Sequence, residues 1–570
     1  MPWLTLVCRL ITRSYCQIEL HTRLSCRPEF ICRMDGEDRK RHCWECRRRC
    51  LVCDFTRPGC KRCSASGTAC PGYSDVKPPR LRWLQPGKVK SRKVQKFKPG
   101  PKSDEKTETN NNSSSTPTES ASTGEVAEGV CYPGTTAIPR RFEPRTEICA
   151  LAQAVGYFNT CIYQDLIPVQ GLGPNSAIYT ISPSQLEGGI VFPDYVRLSL
   201  VCMTLSHRVN RTRSDHDTYE QSGLLAETFY RYRGIIIRSL NEDINVESKR
   251  TSDAVLAGII SLLLADAQQG PSPHWRIHLE GVHRLITLRG GIHFLARLES
   301  LEALLLCFVS VAVIGNTTSQ ATDLVMAPWH FSELDFILSQ YGSKLFPPQM
   351  CPPLLFAEII RINYLRHMWA TIITTRPKIA ETITHSHEED ESELRQEAYG
   401  ILSRIQTFHP AEWVSLKPPS AKHDWMLLGE IYQSAVAIYC ISSLQSLSIL
   451  PLAEPLRSSC AAHAERLHGF LVEALASPRI KRFMLWPLVM LGMSLEAVYS
   501  ITKVHGFVAE ELVELSRHLG SYAPLTAKGM LERFWASGGG VGMSWDECFD
   551  QPYVFATQIA VDISRISPPT

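Results

Sequence analysis

The sequence has no apolar run long enough to cross a bilayer. Its longest, residues 303–315, covers 13 positions and includes Ser310, short of the ~20 apolar residues that a spanning helix needs. It reads as a buried helix. Alternating apolar and polar residues are scarce, which argues against sheets. Catalytic signatures are missing as well: there is no Gly-x-Ser-x-Gly elbow and no Gly-x-Gly-x-x-Gly fingerprint. The glycine-rich stretch 538–542 lacks the Lys-Ser/Thr of a phosphate loop and follows a helix, so it reads as a hinge. No heptad pattern persists after residue 100, so no coiled-coil dimeriser is visible, and no solenoid-length repeat appears.

Two further scarcities are local. Between residues 76 and 100 acids are absent, and every ionisable side chain is basic: Lys77, Arg80, Arg82, Lys88, Lys90, Arg92, Lys93, Lys96 and Lys98. The whole-chain charge of +3 hides this asymmetry, which points to nucleic acid or, less often, an acidic membrane surface. Cysteine is sparse over most of the chain. Eleven of the 20 fall in the first 70 residues and the rest are scattered singly, which excludes a secreted disulfide scaffold and favours a reducing intracellular compartment. Cys202, Cys307 and Cys440 lie in apolar helical stretches and read as small buried hydrophobes.

What remains is an ordinary globular composition, 44% apolar and 21% charged. A chain of 570 residues outgrows one core, so a small module plus a large domain is expected. Residues 1–33 mix Leu, Arg and Cys and read as an unstructured leader or mis-assigned start, with Met34 as the working start; a transit peptide is the alternative. Residues 34–75 carry a cysteine cluster and 76–100 a basic extension. Residues 101–144 form a flexible linker, since the Ser/Thr/Asn/Glu-rich part of this zone, 101–130, buries too little surface to offset its ordering entropy. An all-α domain of about a dozen helices fills 145–570. Within it, Trp275, Leu279, Val282 and Ile286 share one helix face, with Pro273 before the helix and Gly290–Gly291 ending it. Stretches 424–441 and 461–475 repeat the amphipathic pattern. Stretch 481–500 is apolar nearly all round and belongs at the centre of the core.

The informative residues are the cysteines. With Cys50 set aside, Cys43, Cys46 and Cys53 follow the spacing C-x2-C-x6-C, and Cys60, Cys63 and Cys70 repeat it. A C-x2-C pair can turn both sulfurs onto one tetrahedral metal, and a short helix carries the third back. Six thiolates fill two four-coordinate zinc sites only if two of them bridge, and the bridging positions would be the first of each half, Cys43 and Cys60. Two Zn2+ and six thiolates leave a charge of −2, to be offset by nearby Arg and Lys. Metal binding would also stabilise a module too small to fold on its own core. The competing arrangements are one zinc on Cys43, Cys46, Cys50 and Cys53, or a disulfide knot.

The segments CWECRRR, TRPGCKRC and ACPGY resemble the fungal zinc-binuclear-cluster transcription factors, which share the six-cysteine spacing and a Pro before the fourth cysteine, here Pro58. HWRIHLEGVHRLITLRGG, WPLVMLG and LERFW resemble the helical regulatory domain common in that family. The resemblance implies a nuclear regulator of RNA polymerase II transcription that binds double-stranded DNA as monomer or homodimer and engages the transcription machinery or co-regulators. The helix of the first half, with Arg47, Arg48 and Arg49, would enter the major groove and read a CGG-type triplet. Lys61, Arg62 and the basic extension would contact phosphates. Two positions depart from the pattern: Cys50 stands where the family usually has a base-reading Lys or His, and Val52 where it has a basic residue.

Weaker signals have plainer readings beside the functional ones. The run from Lys88 through Lys90, Arg92, Lys93 and Lys96 to Lys98 suits a nuclear import signal, a phosphate-contacting arm or a solvated linker. His274, His278 and His283 share one helix but lack the Glu of a zinc protease, so ordinary helix-face histidines are expected. Glu388–Glu393, beside His385 and His387, reads as a solvated helix start. Residues 544–555 mix acids and aromatics as activation segments do, though a packed tail is the preferred reading. The rival functions are a regulatory scaffold that keeps the zinc fold without reading bases, and a helical enzyme, for which the sequence offers no catalytic constellation.

Overall fold

The computed structural model describes Cys43, Asp54, Thr56, Pro58, residues 60–67 and Cys70 of the amino-terminal part. It then describes residues 146–556 apart from 174–177, 183–191, 213–218, 270–274, 344–349, 376–384, 495–500 and 538–544. The chain divides into two units, a small one within residues 24–134 and a large one that takes in 135–570. No β-strand occurs among the described residues.

In the small unit the described helix is α1, Lys61–Ala65. In the large unit, helices of nine residues or more are α2 (Glu147–Tyr157), α3 (Asp194–Thr212), α4 (Tyr219–Asn245), α5 (Asp253–Gln269), α6 (Trp275–Leu288), α7 (Glu302–Thr317) and α8 (Leu334–Ser343). They continue as α9 (Pro353–Thr375), α10 (His385–Gln406), α11 (Lys422–Ser446), α12 (Glu454–Ala476), α13 (Leu485–Met493), α14 (Ile501–Leu519) and α15 (Ala523–Ala536). That is somewhat more than the dozen expected, joined by short helical turns.

Helix α6 forms where its apolar spacing requires. Trp275, Leu279, Val282 and Ile286 are all buried, and Gly290 and Gly291 adopt positive φ, near 93° and 92°. Such angles strain residues with a Cβ, which is why the helix stops there. Trp275 in turn lies over Gly315 of α7, where an added Cβ would come within 2.6 Å of the indole ring. The apolar helix α7 is buried from Leu304 to Thr317.

Helix α11 lies at the centre, packing on α9, α10, α12 and α13. Pro419–Ser446, which contains it, has no unbroken apolar run, Gln433 and Ser434 interrupting it, but by length and mean hydropathy it could cross a membrane; 89% of its most apolar window is buried in the fold. It is a core helix. The apolar stretch after Lys481 also reaches the core, with Phe483, Trp486 and Val489 fully buried. It does so as a 3-10 turn, Lys481–Phe483, followed by the short α13 rather than as one helix. Pro487 explains the break, because proline is tolerated in the first helical turn and not further in.

Residues 545–556 pack against the body of the large unit, as expected for a structural tail. Trp545 Nε1 donates to the Thr317 carbonyl at 3.1 Å, and Trp275 Nε1 to the Pro552 carbonyl at 3.3 Å. Thr318 and Tyr553 exchange two bonds, Thr318 Oγ1 to the Tyr553 carbonyl at 2.8 Å and Tyr553 N–H to the Thr318 carbonyl at 3.2 Å. The glycine-rich stretch 538–542 lies outside the described residues.

Candidate metal centre

The small unit brings four thiols to one point. The sulfurs of Cys43, Cys60, Cys63 and Cys70 all lie within 4.8 Å of one another. Cys43 Sγ is 3.6 Å from Cys60 Sγ and 3.7 Å from Cys63 Sγ. A disulfide would need ~2.05 Å, whereas a tetrahedron of ~2.3 Å zinc–sulfur bonds sets its sulfurs ~3.8 Å apart. Cys43, Cys60 and Cys63 are at most 1% exposed. Four convergent sulfur donors, three buried and that of Cys70 half-buried, could hold a metal ion, and a soft four-sulfur set at these spacings fits zinc.

Backbone amides point at the sulfurs. Cys63 N–H donates to Cys60 Sγ at 3.3 Å, and Cys60 N–H to Cys70 Sγ at 3.4 Å. The first bond follows from local geometry: in the C-x2-C segment the chain turns into α1, and Cys63 and Ser64 N–H groups both bond the Cys60 carbonyl. Asp54 was not singled out by the cysteine spacing, yet its Oδ1 accepts from Thr56 N–H at 3.0 Å and from Lys61 N–H, the first amide of α1, at 3.2 Å. The Asp-x-Thr sequence before the helix was the available signal.

Cys43, from the first half of the motif, therefore sits with all three cysteines of the second half. That grouping is not the single site of Cys43, Cys46, Cys50 and Cys53. Cys46, Cys50 and Cys53 lie outside the described residues, as do Arg47, Arg48, Arg49, the Arg62 side chain, and Lys88, Lys90, Arg92, Lys93, Lys96 and Lys98. Lys61 is described and exposed.

The histidines of α6 behave as structural side chains. His278 is buried, with Nε2 3.1 Å from Asp266, and His283 packs edge-on against Trp329; His274 lies outside the described residues. The side chains of His385, His387 and residues 388–390 do too. Among the described residues the cysteine group is the one cluster of three or more such ligands. Cys202, Cys307 and Cys440 are buried in helices, and desolvation raises each thiol, Cys202 and Cys307 to about 12, consistent with inert packing residues.

Residues 154–556 match the model of the fungal specific transcription factor domain. Over 539 residues, 94% of this chain and 93% of the other, the sequence is 43% identical to the phomenoic acid biosynthesis cluster-specific transcriptional regulator of Leptosphaeria maculans. No solved structure matches. A family match over most of the chain, and a relative of this identity along nearly its whole length, decide the class: the chain belongs to the fungal-specific transcription factor family, as a regulator of transcription and not an enzyme.

Proposed function

We propose that the protein is a zinc-dependent, sequence-specific DNA-binding regulator of RNA polymerase II transcription that works in the nucleus, with a two-zinc cluster held by Cys43, Cys46, Cys53, Cys60, Cys63 and Cys70. The observation that carries this reading is the convergence of Cys43 on Cys60, Cys63 and Cys70. Cys43 comes from the first half of the motif, and a shared first cysteine is what two bridged four-coordinate sites built from six thiolates require. One ion would sit among these four sulfurs; Cys43 and Cys60 would also reach a second ion with Cys46 and Cys53. The metal supplies folding energy to a unit with little core of its own.

The protein's own residues then provide the DNA chemistry. Arg47, Arg48 and Arg49 offer donors to guanine O6 and N7 of a CGG-type half-site, while Lys61, Arg62 and the run Lys88–Lys98 neutralise phosphates. That same run serves nuclear import. By likeness to the Leptosphaeria regulator, the target is a biosynthetic gene cluster. The large unit is the regulatory half, through which an effector, co-regulators or a second copy of the chain act on the outcome.

A second reading, a scaffold with weakened base readout, is favoured by Cys50 and Val52, which cannot replace the basic donors usual at those positions. Metal analysis of the full chain by native mass spectrometry tests the shared premise. Two zinc ions per chain, with Cys43→Ser losing both, are expected. One ion retained by Cys43→Ser, or no zinc in the wild type, contradicts the bridged cluster.

A further inference from the structure

A cavity of about 130 Å³ lies in the large unit among α3, α4 and α5. An apolar cavity of ~150 Å³ admits a molecule the size of benzene. Its walls are mostly hydrocarbon, Met203, Phe229 and Leu262 among them, interrupted by polar residues that include Ser199, Ser206, Arg233, Ser261 and Gln268. Ser206 Oγ is buried on α3 with no hydrogen-bond partner within the protein. Arg233 of α4 is buried and pairs with Asp266 of α5 at 2.7 Å. Asp266 is also 3.1 Å from His278 of α6. Burial acts to raise the Asp266 carboxyl, but Arg233 and His278 outweigh it and hold it down at about 2.

We propose that this cavity is a receptor site for a neutral, mostly hydrocarbon small molecule carrying one hydroxyl or carbonyl oxygen. The inference rests on the large unit being the regulatory half of the protein. Charge selects the ligand class. Asp266 already balances Arg233, so a carboxylate entering beside them would bring an uncompensated charge out of water. A neutral oxygen instead meets the Ser206 hydroxyl, which has capacity to donate and accept. Occupancy is coupled to the surrounding helices, because the Gln268 carbonyl, on a residue that also lines the cavity, accepts Tyr522 N–H at 2.8 Å and Ser521 Oγ at 3.2 Å from the turn between α14 and α15.

Full-length protein titrated with toluene, benzyl alcohol and benzoate tests the site, read by saturation-transfer NMR and thermal midpoint. Both neutral probes should bind and raise the midpoint, and benzoate should do neither. Ala265→Phe, at a partly exposed wall position, should remove binding of both. Ser206→Ala should weaken benzyl alcohol by roughly three- to tenfold, the worth of one hydrogen bond, and leave toluene within about twofold. No binding of either neutral probe, benzoate binding equal to benzyl alcohol, or equal effects of Ser206→Ala on both neutral probes overturns the proposal. Circular dichroism reports whether Ala265→Phe is folded; if it is not, the Ser206→Ala comparison decides alone. Zinc-dependent DNA binding is measured on the same sample, so that DNA binding without probe binding sinks the cavity only, and the reverse sinks the DNA reading only.

Discussion

Arg366, fully buried in α9, holds Asp546 at 2.8 Å across 180 residues of sequence. The same guanidinium donates to the carbonyls of Asn316 and Ser319, at 2.9 and 2.6 Å, and to Tyr439 Oη at 3.0 Å. The other oxygen of Asp546 accepts Ala321 N–H at 2.7 Å. The tail is thus bound into the core through Asp546, the counter-ion of a buried cation, while Glu547 and Asp550 are exposed.

Asp546→Ala should therefore destabilise the large unit by about 3 kcal/mol, because it leaves the buried guanidinium without its carboxylate. Guanidinium chloride unfolding of the two proteins measures this. An unchanged midpoint would show that the tail is dispensable.

Stability should fall as the pH drops below about 6.5, with His330 a main contributor. It is 1% exposed, neither ring nitrogen has a hydrogen-bond partner, and desolvation, then His283, lowers its pKa to about 3. The unfolded chain binds a proton near pH 6.5 that the folded chain refuses until about 3, so the unfolded state gains as acid is added. His330→Leu should remove up to ~1.4 kcal/mol per pH unit of that slope between pH 6 and 4. Urea melts at both pH values check it, and an unaltered slope would place the effect elsewhere.

Local features were legible in the sequence, and long-range ones were not. The buried face of α6 followed from Trp275, Leu279, Val282 and Ile286 because helical periodicity is a property of neighbours. Residues 482–494 of stretch 481–500 lie in the core as expected, but as two elements, a division that Pro487 signalled; residues 495–500 lie outside the described residues. The grouping of Cys43 with Cys60, Cys63 and Cys70 was suggested by their spacing, because ligands to one metal would restrict it. The Arg366–Asp546 pair was hidden because its partners lie 180 residues apart, and the cavity at Ser206 because it depends on how the successive helices α3, α4 and α5 pack rather than on the pattern within any one of them. Asp54 carried a signal in its Asp-x-Thr sequence, but the cysteine spacing does not point to it, because it bonds the first amide of α1 rather than acting as a ligand.

Cys50→His should tighten DNA binding, since imidazole restores a donor at the position from which family members read a base. Titration of both full-length proteins against one duplex checks this, and equal affinity would mean that Arg49 or a neighbour already supplies the contact.

The most direct test of the central claim is selection from random duplex DNA by the full-length protein, with and without a zinc chelator. Enrichment of a CGG-containing motif that disappears with chelator is the predicted result, and the spacing of its half-sites would separate monomer from dimer. A zinc-loaded, folded protein that enriches no motif would contradict sequence-specific DNA binding and leave a regulator that acts through protein contacts.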